Sequence, residues 1–312
     1  MKIVRRIEDI QQPFQNAVIT IGNFDGVHIG HQALIHTVTE KAGVINGTSV
    51  VMTFEPHPMK LLAPTDHTPL ITLFEQKCEL IARTGIDILI GVPFTKAFSE
   101  MTARHFIEDL LVGRIGMKAL VVGKDYAFGK NREGNLSLLK SWSGPMGFEL
   151  CTVDWIQPPG FEDRVSSTRI REMVMAGEME AARKLLGRHY QIRGAVTQGR
   201  QRGAGILGFP TANIQLQDEL CPKQGIYAVT VQINDLTYPG VANIGFSPTF
   251  DDHLFTIEVH ILNFDRNIYG APIRVNFVQR LRDEIRFHST EALSAQIKKD
   301  IAQARTLLSD WL

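Results

Sequence analysis

Cysteine is scarce in this chain: Cys78, Cys151 and Cys221 are the three present, and no two of them form a C-x-x-C pair. An odd number of well-separated cysteines provides neither a disulfide framework nor a thiolate metal site, and it is typical of a reducing compartment. Long hydrophobic runs are also missing, since no apolar stretch approaches the roughly 20 residues that cross a bilayer. The first ten residues, MKIVRRIEDI, are too charged for a signal peptide. We therefore expect a soluble, cytoplasmic protein that does not act at a membrane.

An excess of charge of either sign is absent as well. Lys plus Arg and Asp plus Glu both count 33, which gives a formal net charge of zero. This balance argues against a general nucleic-acid partner, although local basic patches remain allowed. The chain has 312 residues, and single cores seldom grow beyond roughly 250 residues, so we expect two domains.

The first part of the chain alternates short apolar runs with longer amphipathic stretches. Apolar strands separated by helices predict an α/β domain with a doubly wound parallel sheet, whose ligands bind at the carboxyl ends of the strands. The predicted strands are AVITI from Ala17, SVVMTF from Ser49, IDILIGV from Ile86, KALVVG from Lys118 and FELCTVDWI from Phe148.

From about Tyr190 the pattern changes to short strands separated by turn residues, which predicts an all-β antiparallel barrel or sandwich. A single helix follows, with Ser289 as its predicted N-cap and Glu291 in its first turn. We place the domain boundary after the helix that precedes Gly187, giving domains of residues 1–186 and 187–312. The six predicted strands are YQIRGAV, TANIQL, GIYAVTVQI, LTYPGVANIGF, FTIEVHIL and IRVNFVQRL.

The stretch GNFDGVHIGH, residues 22–31, follows the first of the predicted strands and leads into a helix. Gly22 allows a sharp turn and a close approach of the backbone to a ligand. A helix that begins near Ile29 directs its free N–H groups and its positive dipole end to the same place. His28 and His31, one turn apart, add imidazole N–H groups. These features predict a phosphate site at Gly22, His28 and His31.

Two other interpretations of the histidine pair stay open on these residues alone. Short motifs often arise by chance, and His28 and His31 would then be unrelated surface or core residues. A zinc site is the second alternative, although no third ligand stands at a typical spacing.

The stretch VSSTRIRE, from Val165, places three hydroxyls and two arginines at the start of another predicted helix. With Ser166 as the cap, this helix start would form a second anion-binding site. An ordinary capped helix with solvated arginines is the alternative. The outward-facing residues in this prediction are Ser167, Thr168, Arg169 and Arg171.

The stretch VGKDYAFGKNREG, from Val122, follows the fourth predicted strand and therefore reaches the same carboxyl edge. Asp125 in this loop is placed to contact a ribose, a base or a metal. A polar turn without a ligand is the alternative.

Taken together, GNFDGVHIGH, FEPHP, VGKDYAFG and VSSTRIR resemble the adenylyltransferase module of the bacterial bifunctional riboflavin kinase/FMN adenylyltransferase (FAD synthetase) family. That module is similar to the HxGH nucleotidyltransferases. The resemblance implies that His28 and His31 bind the ATP phosphates, with Asn23 and Asp25 in the same site, and stabilise the transition state without a covalent intermediate. It also implies that Asp125 lies against the nucleotide and that the segment from Ser166 to Arg171 is a mobile triphosphate-binding loop.

The stretch GRQRGAGILGFPTANI, from Gly199, combines a glycine-rich loop with two arginines, Arg200 and Arg202, and such a loop can close over phosphates. Thr211 and Asn213 alternate on one strand and therefore share a face, where their oxygens suit Mg²⁺. Glu258, in a mostly apolar strand, is suited to accept the proton of an alcohol that is being phosphorylated. The alternative for Thr211 and Asn213 is that they are two solvated polar groups. The alternative for Glu258 is that its carboxylate lies on the solvent-exposed face of a sheet.

The motifs LGFPTAN, GIYAV, GVANIGFSPTF, EVHILNFDRNIYG and LRDEIRFHSTEALSAQIKKD resemble the riboflavin kinase module of the same family. The resemblance implies a six-stranded Greek-key barrel in which Thr211 and Asn213 bind Mg²⁺-ATP, Glu258 is the catalytic base, and Arg282 and Glu291 lie near the flavin. The full predicted ATP- and flavin-binding set is Gly199, Arg200, Arg202, Gly208, Pro210, Thr211, Asn213, Arg282 and Glu291.

Two positions depart from the pattern that many members of this family share. Ala204–Gly205 stands where Gly-Arg is common, and Ser247 stands where an arginine or lysine often precedes PTF. Both changes remove positive charge near the expected phosphate path, which lowers the expected efficiency of the kinase.

The resemblance implies an enzyme with two active sites that uses ATP and Mg²⁺. Riboflavin would be phosphorylated to FMN, and FMN would then receive AMP from a second ATP to give FAD and pyrophosphate. An adenylyltransferase whose barrel only holds flavin, or a flavin-responsive regulatory protein, are the alternatives. Retention of His28, His31 and Glu258 argues against a mere binder, which needs no base. The sequence leaves the oligomeric state open.

Overall fold

The computed structural model describes residues 1–63, 69–197, 209–216, 218–246 and 255–311. The chain divides by its internal contacts into two units, Met1–Ser167 and Thr168–Leu312. Within the described ranges, no helix is both long enough and apolar enough to cross a membrane.

The N-terminal unit is built on a six-stranded sheet in which every pairing is parallel, with strand order β1-β4-β3-β2-β5-β6. This confirms the predicted parallel sheet. The short edge strand β1 was not predicted, because three residues beside charged neighbours carry too little pattern. The strands are β1 (Lys2–Val4), β2 (Ala17–Ile21), β3 (Ser49–Glu55), β4 (Ile88–Pro93), β5 (Met117–Gly123) and β6 (Glu149–Val153).

Helices cover both faces of this sheet, as a doubly wound fold requires. Alternate residues of β2 enter different cores: Ile19 packs into one apolar cluster and Val18 into the other. Burial on both faces explains why β2 and β3 are apolar along their length rather than alternating. The helices are α1 (Ile29–Val44), α2 (Pro58–Leu62), α3 (Phe74–Ala82), α4 (Lys96–Ser99), α5 (Ala103–His105), continued as a π-helix over Phe106–Ile115, and α6 (Leu136–Ser143).

The strand order places a reversal of chain direction between β2 and β5. From β2 the chain moves through β3 to β4 on one side, whereas β5 and β6 extend the sheet on the other side. Ligands of open α/β sheets bind outside the carboxyl ends of strands at such a switch point. The loops after β2 and β5 are the ones that carry the histidine pair and Asp125.

The C-terminal unit contains a closed antiparallel barrel, with strand order β10-β11-β8-β7-β12-β9. Strand β12 returns to lie beside β9, so β12-β9-β10-β11 form a Greek key, and the predicted six-stranded barrel is confirmed. Fully buried side chains such as Ile192, Val229 and Ile257 fill its interior. The strands are β7 (Tyr190–Thr197), β8 (Ala212–Ile214), β9 (Gly225–Ile233), β10 (Leu236–Phe246), β11 (Phe255–Ile261) and β12 (Pro272–Arg282).

Two helices, α7 (Ser167–Ala176) and α8 (Met179–Leu186), precede the barrel. Helix α8 ends at Gly187, whose φ of 71° suits a glycine C-cap. Gly177, between the two helices, lies against Arg280 and Tyr227 of the barrel strands, so α7 and α8 group with the barrel by contacts. The boundary between residues 186 and 187 stays a prediction.

The C-terminal helix α9 (Thr290–Leu307) begins at the predicted N-cap, because the Ser289 hydroxyl accepts a hydrogen bond from the Ala292 N–H. A short 3₁₀ turn, Ser309–Trp311, follows it. Ala304 and Leu308 pack against Ala228 and Val241 of the barrel. Apolar burial therefore places α9 on the outside of β9 and β10.

A buried ion pair joins this helix to the barrel. Arg282, at the end of β12, donates from Nε and Nη2 to the two carboxylate oxygens of Asp300 at 2.9 and 2.6 Å. Asp300 is 3% exposed and also accepts from the Gln296 side chain. Bidentate geometry of this kind is among the stronger polar contacts in proteins.

Asp300→Ala is expected to lower the free energy of unfolding of the C-terminal unit by about 3–5 kcal/mol, because the substitution leaves the buried Arg282 charge unpaired. Asp283→Ala is the matched control, since Asp283 pairs with Arg280 but its side chain is 76% exposed, and we expect a much smaller loss of stability because solvent screens this pair. Denaturant unfolding followed by Trp311 fluorescence, with Trp142 and Trp155 replaced by Phe, measures both. Equal losses in the free energy of unfolding for the two variants would contradict the assignment of Arg282–Asp300 as a stabilising buried ion pair.

Candidate active sites

The loop from Gly22 to His28 connects β2 to α1 at the carboxyl edge of the parallel sheet. The Gly22 N–H donates to the Met52 carbonyl, and the Asn23 carbonyl accepts from the Thr53 hydroxyl, so β3 holds the start of the loop. The Asn23 side chain is exposed. The loop therefore emerges at the switch point with its first residues fixed by the neighbouring strand.

The two histidines lie at the N-terminus of α1, as predicted. His28 is the N-cap, and its Nδ1 accepts from the His31 backbone N–H at 3.2 Å. This contact leaves the ring proton of a neutral His28 on Nε2. The two imidazole rings stack, with centroids 3.5 Å apart and planes 16° apart. The two rings thus lie together at the start of the helix, where the positive end of the helix dipole favours an anion.

His31 is held as a neutral imidazole. Burial lowers the pKa of His31 well below its usual value, and the nearby charges of His28 and Lys77 lower it further. Its Nδ1 is buried and has no hydrogen-bond partner among the described residues. A buried, unpaired ring nitrogen beside a helix N-terminus is a group that a phosphate oxygen or its proton can satisfy.

Backbone conformation in this loop is unusual. Phe24 and Val27 have φ values of 47° and 40°, a region that β-branched and bulky residues rarely adopt, and Gly26 has a φ of 84°. Strained residues of this kind cluster at ligand-binding sites, where the surrounding structure holds them. Gly30 has a separate role, because an added Cβ would stand 2.9 Å from Val165. The glycine between the histidines lets the Val165 segment approach the helix start.

Asp25 holds the loop in place. Its buried carboxylate accepts hydrogen bonds from the Ile71 and Thr72 backbone N–H groups at 3.0 Å, and the Thr72 hydroxyl accepts from the Gly26 N–H. These contacts give Asp25 a structural task that the sequence did not predict. Direct contact of Asp25 with phosphate stays a prediction.

The Val165–Ser167 segment lies against the same loop. Val165 is buried, and the Ser167 hydroxyl donates to the Asp25 carbonyl at 2.9 Å. Helix α7 begins at Ser167, and Ser166 directly precedes it. The structure therefore brings the start of the predicted second anion-binding helix to the histidine loop.

Three residues of that stretch, Thr168, Arg169 and Arg171, belong by contacts to the C-terminal unit. Thr168 and Arg169 are exposed, and Arg169 lies 3.9 Å from Glu172 on the next turn of α7. Their contact with phosphate stays a prediction.

Asp125 follows the carboxyl end of β5, next to β2 in the sheet. Its carboxylate pairs with Arg164 at 2.9 Å, and the Arg164 guanidinium lies 4.4 Å from the centre of the half-exposed Trp155 ring. The sequence prediction missed Arg164 and Trp155. In the sequence, Arg164 is an arginine directly before VSST and Trp155 is a tryptophan just after a predicted strand. Neither feature alone is enough to predict a site residue.

Lys77 is a second residue that the sequence prediction missed. It lies on α3, it is 2% exposed, and burial lowers its pKa, while Asp25 and Glu55 act in the opposite direction. A lysine on an amphipathic helix gives no sign of burial, so only tertiary packing places this charge behind the histidine loop.

The predicted kinase residues meet on neighbouring strands of the barrel. Asn213 of β8 lies opposite Glu258 of β11, and Glu258 lies opposite Asn243 of β10. Residues opposite one another on antiparallel strands point to the same face, with Cβ atoms about 4.5–5.5 Å apart. Thr211, two residues before Asn213, continues that face beyond the start of β8.

Burial raises the pKa of the Glu258 carboxyl, and the charge of Glu284 raises it further. A carboxylate with a raised pKa is a stronger base, which suits removal of a proton from an alcohol.

A cavity of about 320 Å³ adjoins Thr211. Pro210 and Thr211 line one wall, and the loop from Phe264 to Tyr269 lines another. His260 Nδ1 lies 2.8 Å from the Pro210 carbonyl and links β11 to this wall. The sequence prediction did not include the Phe264–Tyr269 loop.

The remaining predicted kinase residues have different outcomes. Arg282 uses its guanidinium on Asp300, and Glu291 is an exposed residue in the first turn of α9, where hydrogen bonds to its carboxylate lower its pKa. Contact of either residue with flavin stays a prediction. Gly199, Arg200, Arg202, Ala204–Gly205, Gly208 and Ser247 lie outside the described residues.

Comparison with known proteins agrees with this geometry. A family model described as FAD synthetase matches residues 10–169, and one described as riboflavin kinase matches residues 186–308. These ranges separately contain the histidine loop and the Asn213–Glu258 row.

Curated relatives match along nearly the whole chain. Proteins named bifunctional riboflavin kinase/FMN adenylyltransferase from Listeria monocytogenes and from Escherichia coli K12 are 40% and 39% identical to it. The first alignment covers 94% of this chain and 93% of the relative, and the second covers 98% and 97%.

A crystal structure described as a macrolide-efflux protein from Streptococcus pneumoniae superposes with a TM-score of 0.87 at 31% identity, covering 97% of this chain and 98% of that one. That description names a different activity, and from this likeness we take the fold alone. The two family matches and the curated relatives agree on both catalytic functions. The chain belongs to the bifunctional riboflavin kinase/FMN adenylyltransferase family, with its FAD synthetase domain first and its riboflavin kinase domain second.

Proposed function

We propose that the loop after β2 and the start of α1 form the adenylyl-transfer site, which joins AMP from ATP to FMN. The observation that carries this proposal is the stacked pair His28–His31 at a helix N-terminus. Neutral imidazole N–H groups and backbone N–H groups at this position stabilise the negative charge that develops on the α-phosphate during displacement of pyrophosphate. No covalent intermediate is needed, because the site supplies positioning and charge stabilisation.

Three further contacts support this site. Asp125 and Arg164 lie at the end of the strand next to β2, where they are placed to meet the nucleotide or the flavin. The Ser166–Arg171 stretch supplies hydroxyls and guanidinium groups for the triphosphate. Asp25 holds the loop through the hydrogen bonds that it accepts from Ile71 and Thr72.

We propose that Glu258 is the base of the kinase reaction and accepts the proton of the terminal ribityl hydroxyl as that oxygen takes the γ-phosphate of ATP. The observation that supports this role is the register of Glu258 between Asn213 and Asn243. The cavity beside Thr211 is placed to hold part of the nucleotide.

The expected metal fits the oxygen donors of this site. Within the ranges that the structure describes, no group of three or more His, Cys, Asp or Glu residues is arranged to hold a metal ion. Mg²⁺ is bound in many kinases by one or two protein oxygens with substrate phosphates and water. Thr211 and Asn213 supply such oxygens on one face, and a bound Mg²⁺ neutralises charge on the transferring phosphate. Riboflavin, FMN and ATP are the proposed substrates, and the three free cysteines support a cytoplasmic location.

His31→Ala is expected to stop the reaction at FMN, lowering the rate of FMN adenylylation by about 100- to 1,000-fold because a donor to the transition state is lost. Chromatography of the flavins formed from riboflavin and Mg-ATP measures this change. His36→Ala is the matched control on the same helix, since His36 is exposed and pairs with Glu40. Accumulation of FAD at the original rate in His31→Ala would refute the assignment.

Glu258→Gln is expected to abolish detectable FMN formation, because an amide cannot accept the hydroxyl proton. The variant still converts added FMN into FAD, which shows that the protein is folded and that the defect is confined to one reaction. Glu180→Gln, at an exposed position on α8, serves as the control and leaves both reactions unchanged. A Glu258→Gln protein that forms FMN normally would remove Glu258 from the mechanism.

Asp25→Asn is expected to lower the free energy of unfolding of the N-terminal unit by about 1–3 kcal/mol, because the new amide turns a donor toward backbone N–H groups. The less constrained loop also raises KM for ATP in adenylyl transfer and leaves the kinase reaction unchanged.

Asp87→Asn is the matched control for that measurement. Asp87 also accepts from a backbone N–H, that of Ser49, but it lies at the amino ends of β3 and β4, opposite the site. It is expected to lower stability without changing KM for ATP. An unchanged KM in Asp25→Asn would show that Asp25 does not position the phosphate loop.

A further inference from the structure

Asn243 occupies a position in the kinase site to which the sequence motifs assign no role. The register of the barrel strands pairs Asn213 with Glu258 and Glu258 with Asn243, so these three residues form one row across three neighbouring strands. On the next strand, β9, Ile226 lies opposite Asn243. The polar part of this row therefore ends at Asn243.

The row lies on the outer face of the barrel. Ala242 and Ile244, on either side of Asn243, are fully buried and point into the barrel interior. Val241, two residues away, points outward and packs with Ala304 and Leu308 of the helix α9 region. Alternation along β10 gives Asn243 the same outward direction as Val241, on the surface that Glu258 shares.

The Asn243 side chain is unsatisfied in this position. Its Oδ1 is buried from solvent and has no hydrogen-bond partner among the described residues. Buried side-chain oxygens without a partner are rare in folded proteins. An acceptor held next to the proposed base, and hidden from water, is therefore suited to a ligand that brings a donor.

We propose that Asn243 contacts substrate in the kinase reaction by accepting a hydrogen bond from a non-terminal hydroxyl of the ribityl chain of riboflavin. The inference rests on the proposed placement of the kinase site at Glu258. It adds a residue that fixes the polyol chain behind the hydroxyl that is phosphorylated.

The order of residues along the row identifies the polyol rather than the nucleotide as the ligand. Asn213 stands on the side of Glu258 that faces the proposed Mg²⁺-ATP position, and Asn243 stands on the other side. When the terminal hydroxyl lies at Glu258, the rest of its carbon chain must leave away from the phosphates. A polyol has further hydroxyls along its chain, and one that lies two carbons from the reacting hydroxyl can reach the spacing of neighbouring strands, about 4.5–5.5 Å.

Charge at this end of the row points to the same ligand. The Glu284 carboxylate lies directly against Gly245, where an added Cβ would collide with it. Gly245 is two residues beyond Asn243 on β10, so Glu284 places negative charge on this side of the site. Negative charge repels phosphates, whereas carboxylate and amide oxygens both accept hydrogen bonds from neutral hydroxyls.

The test compares Asn243→Ala with Asn243→Ser in the full chain, because serine restores an oxygen with little change in volume. Initial rates of total FMN plus FAD formation give KM for riboflavin and for ATP separately. We expect Asn243→Ala to raise KM for riboflavin by about tenfold, with KM for ATP unchanged, and Asn243→Ser to recover part of the loss. Asn276→Ala is the matched control, since the Asn276 amide is paired with Thr230 and Gln191 on another part of the barrel; its KM for riboflavin stays unchanged.

Riboflavin analogues that lack one non-terminal ribityl hydroxyl at a time provide the second arm. We expect one analogue to bind about tenfold more weakly to the unaltered chain, and to show no further loss in Asn243→Ala, because both changes remove the same contact. The analogue series on the unaltered chain does not depend on the folding of any variant. If no analogue binds more weakly than riboflavin, the contact does not exist.

Three further results would also overturn this inference. They are an unchanged riboflavin KM in Asn243→Ala, an increase in KM for ATP instead, and equal losses for every analogue with and without Asn243. Glu258→Gln separates this failure from failure of the kinase site itself. If Glu258→Gln blocks FMN formation while Asn243→Ala behaves as the unaltered chain, only the role of Asn243 is refuted; if Glu258→Gln forms FMN, the site placement is refuted.

Discussion

The hydrogen bonds that the Asp25 carboxylate accepts from Ile71 and Thr72 are the contacts on which the histidine loop depends. Two backbone N–H groups of this loop already serve to hold it, because the Gly22 N–H donates to the Met52 carbonyl and the Gly26 N–H donates to the Thr72 hydroxyl. The loop is also fixed from behind, by a carboxylate that reaches the segment before α3 and by the Ser167 hydroxyl on its carbonyl. The positive φ values of Phe24 and Val27 are sustained by this external support. The result is a preorganised helix start in which His28 and His31 stack with their rings already in position.

In the barrel, the polar residues of the proposed site are positioned by strand register rather than by a loop. Apolar side chains such as Ile192, Val229 and Ile257 fill the barrel interior, so the polar residues of the proposed site lie on its outer face. On that face, antiparallel register places Asn213, Glu258 and Asn243 in one row, and helix α9 packs against the neighbouring apolar residues. The Arg282–Asp300 pair ties this helix to β12. Arg282 thus has a structural role in holding the helix, and its contact with flavin, which the family resemblance implies, stays a prediction.

The sequence predicted most of the architecture because its hydrophobic periods are clear. Each of the five long parallel strands and each of the six barrel strands was found from its pattern, and the C-terminal helix began at the predicted Ser289 cap. The edge strand β1 was missed because three residues carry no measurable period. Among the proposed site residues, those that come from recognisable motifs are His28, His31, Asp125, Thr211, Asn213 and Glu258. Lys77, Arg164 and Asn243 were missed, because an isolated lysine, arginine or asparagine carries no local pattern and acquires its role from neighbours distant in sequence.

By itself, the sequence determined the fold class, the order of the two domains and the chemistry of the family. These properties can be predicted from local hydrophobic periodicity and from short motifs whose residue types are required by phosphate transfer. The tertiary structure alone decided which polar groups are free to meet a substrate. Asp25 and Arg282 are predicted ligand contacts, and only folding shows their structural partners, which are backbone N–H groups around the Asp25 carboxylate and the buried Asp300 carboxylate beside the Arg282 guanidinium. Asn243 reads as an ordinary strand residue, yet register brings it beside Glu258 with a buried acceptor. The residue type fixes which hydrogen-bond donors and acceptors a side chain has. The partners that those groups bind are brought together only by the folded chain.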